Sequence, residues 1–127
     1  MPNPQPLRVL LADDSDLIRD AVLAVVARGS AVRVVGQAAD GRSAVSLARS
    51  LSPDLILMDA SMPGLSGLEA ARQIGRERPG VRIIMLLPTL SPDYERAALR
   101  AGAQASVAKD RLEEDLLDTI SSVTSAR

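Results

Sequence analysis

The chain has no cysteine, no histidine, no tryptophan and no phenylalanine, and its whole aromatic content is Tyr94. Without cysteine there are no disulfides and no thiol catalysis; without histidine, the commonest general base and the commonest transition-metal ligand are missing. Any metal used here is therefore a hard cation held by oxygen. The lack of aromatics removes stacking platforms for single strands, and a formal charge of -1 offers no basic footprint for a duplex. Direct nucleic-acid binding by this segment is not expected. No apolar run approaches the roughly 20 residues that cross a bilayer, and Met1-Pro2-Asn3-Pro4-Gln5-Pro6 has no signal-peptide pattern, so a cytoplasmic location without a membrane partner is expected. Lysine is scarce as well: among 15 basic residues Lys109 is the only one, the rest being arginine.

What is present is aliphatic. With 127 residues and 46% hydrophobic content, the chain is long enough for one domain with one sizeable core. We expect a flexible leader over residues 1–6, a domain over 7–124 and a tail or linker start over 125–127. Leu7 to Ala12 reads as a strand, closed by Asp13-Asp14. Ser15 then caps a helix with Leu17, Ile18, Ala21, Val22 and Val25 on its buried stripe and Gly29 at its end. A β-branched run from Ala31 to Val35 gives a second strand. Asp40 caps a second helix, with Ala44, Val45, Ala48 and Leu51 on one face, and Pro53 stops it.

The stretch Leu55-Ile56-Leu57-Met58 is apolar on both parities, as in a strand covered on both faces, yet it ends on the acid Asp59. Ser66 to Glu69 has the form of a capping box for a third helix. Val81 to Leu87 is a fourth strand, also apolar throughout. Ser91 and Pro92 suit the cap and first position of a fourth helix that stops at Gly102. Ala105 to Ala108 is a short fifth strand, and Asp110 to Glu113 repeats the capping-box form before a helix that buries Leu112, Leu116, Ile120 and Val123. Alternating strands and helices with short connections predict an α/β three-layer sandwich: a five-stranded parallel sheet flanked by five helices.

In such a sheet the carboxyl ends of the strands collect Asp13, Asp14, Asp59, the segment Leu87-Pro88-Thr89 and Lys109. Three carboxylates in one cleft repel unless a cation joins them, and an oxygen-only site suits Mg2+. A compact ammonium is not interchangeable with a planar guanidinium, so a lysine kept at 109 in so arginine-biased a chain points to a need for a point charge.

These residues carry a resemblance. Asp13-Asp14 after a strand, the run Leu57-Met58-Asp59-Ala60-Ser61-Met62-Pro63-Gly64-Leu65-Ser66-Gly67, Ala101-Gly102-Ala103 and Lys109-Asp110 resemble the receiver domain of bacterial two-component response regulators. Nearly the whole chain is covered without an insertion, and the ending is most similar to receivers that precede a helix-turn-helix output domain. The resemblance implies a flavodoxin-like fold with strand order 2-1-3-4-5. It implies Asp59 as phosphoacceptor, charged by a histidine kinase, a phosphotransfer protein or a small phosphodonor. It further implies Mg2+ held by Asp13, Asp14, Asp59 and the Ser61 backbone carbonyl, and Lys109 neutralising a phosphoryl oxygen. An output domain or a second copy would dock on helix four, strand five and helix five, where Tyr94, Arg96, Arg100, Arg111 and Glu114 are candidate contacts.

The match breaks at the switch positions. The family's Ser or Thr at the end of strand four falls on Leu87. The next residue, whose backbone N–H usually reaches the phosphoryl group, is Pro88, which has none. The aromatic of strand five is Ser106. Two charge-assisted hydrogen bonds at roughly 1.5–3 kcal/mol each exceed a typical allosteric coupling of about 1–3 kcal/mol, so weakened switching is expected. Thr89 would substitute only if its loop bent back. The alternative reading is a receiver-like protein-interaction module independent of phosphorylation. A Mg2+-dependent phosphatase would want a second acid two residues after its nucleophile, where Ser61 stands. A flavin binder would want a Ser/Thr/Gly-rich phosphate loop where Asp13-Asp14-Ser15-Asp16 stands.

Overall fold

Strand β3, Leu55–Asp59, has every residue buried, and the sheet forms around it. The computed structural model describes residues 5–29 and 31–125, so residues 1–4 of the leader and Ala126-Arg127 of the tail lie outside the described residues. The other strands are β1 (Leu7–Ala12), β2 (Val32–Ala38), β4 (Arg82–Leu87) and β5 (Ala105–Ala108). They pair in parallel in the order β2-β1-β3-β4-β5, as expected. Fully burying a Leu, Ile or Met side chain stabilises by about 1.5–3 kcal/mol. The Leu-Ile-Leu-Met run therefore secures the strand that carries Asp59 more firmly than a half-buried strand would.

Side-chain alternation divides the core in two. Leu10, Ile56, Met58, Ile83, Met85 and Leu87 face α2 (Gly41–Leu51), α3 (Gly67–Glu77) and α4 (Pro92–Arg100). Val9, Leu11, Leu55, Leu57, Ile84, Leu86 and Val107 face α1 (Asp16–Val26) and α5 (Leu112–Ser125). Parallel strands joined by right-handed crossovers place helices on both faces, which makes the three layers.

The helix starts follow their caps. Ser15, Asp40, Ser66 and Ser91 each accept a hydrogen bond from the backbone N–H three residues on. Pro92 occupies the first turn of α4, where its missing N–H has no helical partner to lose. After α4, Gly102 turns the chain with φ +100°, a conformation that a side chain would strain.

Several local expectations are corrected. Leu17 is 77% exposed, because it lies about 140° around α1 from Val22 at 3.6 residues per turn; Val26 takes the buried place instead. Helix α1 ends at Val26 with Ala27 as cap, and Gly29 follows without a left-handed φ. Strand β2 runs on to Ala38, since a register shift between Val9 and Leu10 keeps it paired with β1 along its length. Ser66 caps α3, but the Glu69 carboxylate pairs with Arg72. Asp110 does not cap α5: a 3-10 turn over Lys109–Arg111 leads into it, with Ala108, which has no side-chain acceptor, at the cap position. Helix α5 continues through Thr124 and Ser125, whose hydroxyls donate to carbonyls four residues back.

On the outer face Arg49 of α2 grips Glu77 of α3 through two parallel hydrogen bonds of 2.7 and 2.8 Å, and Gln73 donates a third at 3.2 Å. The Arg49 hydrogen bonds, then Gln73, hold the Glu77 carboxyl down from 4.5 to about 2. A carboxyl lowered in the folded state contributes stability that is present above its unfolded value and lost as pH falls through the folded one. Stability measured by urea titration between pH 5 and pH 2 should therefore fall less steeply in Glu77→Gln than in the parent, and equal slopes would contradict this.

Candidate functional site

The carboxyl ends of β1, β3 and β5 bring Asp13, Asp59 and Lys109 together. Asp13 and Asp59 are buried, at 0% and 1% exposure, although both are acids. The Lys109 ammonium lies between them, 3.0 Å from Asp13 Oδ2 and 3.0 Å from Asp59 Oδ1. An uncompensated buried charge costs several kcal/mol, so one cation shared by two carboxylates is what makes this burial tolerable. Lysine suits the place because a point charge can face two oxygens that do not present a planar fork.

Local backbone completes the positions. The Ser15 N–H donates to Asp13 Oδ1 at 2.9 Å, and the Ser61 N–H donates to Asp59 Oδ1 at 3.1 Å. The Asp13 N–H reaches the Ala38 carbonyl of β2 at 3.0 Å. Gly67 lets the start of α3 press against the end of β3: a Cβ there would fall 1.6 Å from the Asp59 carbonyl oxygen. That glycine stood unremarked in the sequence except as part of a motif, because close approach of two backbones leaves no pattern in composition.

Asp59 Oδ2 is buried and has no hydrogen-bond partner among the described residues. Asp13 Oδ2 has the lysine as an ion-pair contact but no well-aligned donor. Asp14 is exposed at the rim, and oxygens of Asp13, Asp14 and Asp59 lie within 4.8 Å of one another. Three carboxylates at that spacing, with buried oxygens lacking donors, fit a small divalent cation that prefers oxygen and keeps some water. Ser61 is beside Asp59 through its N–H.

The remaining expected positions sort differently. Leu87, 1% exposed, belongs to the core cluster that includes Met62, Ala98 and Ala101. Pro88 and Thr89 are exposed, and Ser106 is half-buried on β5 opposite Met85. Tyr94, Arg96, Arg100, Arg111 and Glu114 are exposed on α4 and around the start of α5, with Arg96 bound to Asp93 and Arg111 to Asp115. One participant was not foreseen. Arg19 of α1 donates to the Asp13 carbonyl at 2.5 Å and also binds Asp16. Only its place three residues after Asp16 on one helix face hinted at the second contact.

Electrostatics mark Asp59. Burial pushes its carboxyl above the ordinary value, and the Asp13 charge adds to that; the Lys109 ammonium and the Ser61 N–H pull the other way without cancelling it. Burial would lower Lys109, but its hydrogen bonds and attraction to Asp59 and Asp13 together hold it above its usual value, so it stays charged.

A doubly wound parallel sheet with an acidic pocket and a lysine at its carboxyl edge has its site where open α/β sheets bind their ligands. Residues 9–121 match the family described as "Response regulator receiver domain", and the chain belongs to that family. It is 39% identical over 118 residues to the "Uncharacterized transcriptional regulatory protein YxjL" of Bacillus subtilis, covering 93% of this chain and 54% of that protein. It is 35% identical over 120 residues to the nitrate/nitrite response regulator NarL of Escherichia coli K12, covering 94% and 56%. The crystal structure of a LuxR-family two-component response regulator from Aurantimonas superposes with TM-score 0.90 at 29% identity, covering 97% of this chain and 88% of that one. The chain spans about half the length of the curated relatives it matches. Phosphorylation on aspartate is general in this family of two-component signalling, and its receivers bind Mg2+ at an acidic pocket and interact with histidine kinases and output domains. Response regulators are generally not classical enzymes. Among the described residues, no helix is long and apolar enough to cross a membrane.

The raised Asp59 carboxyl gives a signed stability prediction. Its contribution is full below 3.8, the unfolded value, and is lost as pH rises through the higher folded value. In EDTA at pH 7, Asp59→Asn should therefore be more stable than the parent by urea titration. The gain should shrink as pH approaches 3.8; no difference at pH 7 would refute it.

Proposed function

We propose that this domain accepts a phosphoryl group on Asp59 and transmits that event weakly through its own fold. The observation that carries the first half is the Asp59 carboxylate itself. One oxygen is held by Lys109 and the Ser61 N–H, and the other is buried without a donor. A carboxylate oxygen of Asp59 attacks the phosphorus of a phosphohistidine or of acetyl phosphate. A P–O bond to Asp59 forms while the bond to imidazole nitrogen or acetate oxygen breaks with its electron pair, leaving an acyl phosphate.

Asp13, Asp14, Asp59 and the Ser61 carbonyl would hold Mg2+, which supplies positive charge to the oxygens of the transferring group. Lys109, already charged and facing Asp59, provides the second cation at the same place. The pocket then serves by positioning and charge alone, which is most of what phosphoryl transfer needs. A histidine kinase or phosphotransfer protein is the natural donor and the cytoplasm the natural setting. By analogy with the regulators it resembles, a helix-turn-helix output domain is the natural recipient of the signal. Docking would use α4, β5 and α5.

Leu87 and Pro88 support the second half. Where a hydroxyl would follow the phosphoryl group, Leu87 is packed into the core with Ala98 and Ala101, and Pro88 has no N–H. Holding Leu87 in place costs nothing; moving it would forfeit burial of about 1.5–3 kcal/mol, comparable with a whole allosteric coupling. The same packing favours the second reading, an interaction module whose α4 face is set in one state with or without phosphate.

Incubation with Mg2+ and acetyl phosphate, read by intact mass, should show one added phosphoryl group that is absent in Asp59→Asn; no adduct after long incubation would sink the phosphoacceptor assignment. Replacing Leu87→Thr together with Pro88→Ala should enlarge the phosphorylation-dependent change in hydrogen exchange along α4. A full change already present in the parent would refute weak switching.

A further inference from the structure

We propose that Arg19 is a positioning residue for the acidic pocket: by holding the Asp13 main-chain carbonyl, it fixes the peptide that carries the exposed ligand Asp14. The inference rests on reading Asp13, Asp14 and Asp59 as a Mg2+ site. Around Asp13 the polar groups are committed one by one. Its N–H goes to the Ala38 carbonyl, its Oδ1 takes the Ser15 N–H, and its carbonyl takes Arg19 Nη1 at 2.5 Å. Ser15 in turn caps Ile18 through its hydroxyl and accepts the Arg19 N–H at its carbonyl.

Asp14 is the exception. It is exposed, and no hydrogen bond or ion pair to its carboxylate is found among the described residues. Nothing in its own side chain holds it over the pocket, so its place is set by its backbone. The peptide between Asp13 and Asp14 is planar; a fixed Asp13 carbonyl therefore fixes the Asp14 N–H and Cα. Arg19 is suited to hold that carbonyl because it is itself held. Its side chain is only 17% exposed, and its other Nη binds Asp16 one helical turn earlier. Residues one step behind the metal ligands commonly change metal affinity about 10- to 100-fold when removed.

The sign of the effect separates this role from mere charge. A guanidinium near a cation site opposes binding, so its loss by charge alone would tighten Mg2+; loss of positioning weakens it. The test is thermal unfolding of the metal-free chain, followed by circular dichroism, at increasing Mg2+ without any phosphodonor. In Arg19→Ala the Mg2+ concentration for half-maximal stabilisation should rise about 10- to 100-fold, whereas Arg49→Ala, which removes a remote arginine pair, should leave it unchanged. Should the alanine variant not fold, Arg19→Met keeps the apolar stem without donors and is read the same way. A midpoint in the Arg19 variant that is unchanged or lower, or one that Arg49→Ala raises equally, overturns the inference. A parent chain with no Mg2+-dependent stabilisation instead overturns the metal reading, and this inference with it.

Discussion

Two carboxylates are buried at the end of a parallel sheet, and one ammonium lies between them. Water solvates a carboxylate so well that removing it from solvent costs several kcal/mol unless an opposite charge replaces it. Lys109 does this for Asp13 and Asp59 at once, and much of the architecture serves to keep the three in register. Strands β1 and β3 are neighbours, so the two acids end side by side. Strand β5 lies two places from β3 and three from β1. An arm as long as lysine's is needed to cross β4 and reach them. A shorter cation would not span the distance, and a guanidinium would ask for a planar pair of oxygens that two separate acids do not present.

Chemistry follows from this compromise rather than from any added device. The ammonium satisfies one oxygen of Asp59 and leaves the other without a donor, so the carboxylate is restrained in direction but not fully quenched. Burial works against its charge. A further cation would relieve the same negative excess, which is why three acids beside one lysine fit a divalent metal.

The parts legible in the sequence were those that rest on periodicity or on residue types out of place. Leu55 to Met58 announced a doubly covered strand, the serine and aspartate caps announced helix starts, and a lone lysine among arginines stood out. The parallel sandwich came from the connection pattern, and the strand order from the resemblance. What escaped was set by geometry between elements. Leu17 continued an apolar pattern but lies around the helix from the face that Val22, Val25 and Val26 bury, and it stays exposed. Asp110 had the right neighbours for a cap, yet the chain enters α5 through a tight turn that bypasses it. Arg19 and Gly67 matter through main-chain atoms, an oxygen of Asp13 and an oxygen of Asp59, and main-chain atoms are the same in every sequence.

The pocket draws on the first, third and fifth strands of the sheet. Asp13 follows the first strand and Lys109 the last, so no fragment that stops short of β5 contains both the acids and the charge that lets them be buried. A chain still leaving the ribosome, or one that has lost its final strand and helix, has Asp59 but not its surroundings. The shared ion pair is thereby tied to complete folding: the two acids and the ammonium meet only in molecules whose sheet has closed.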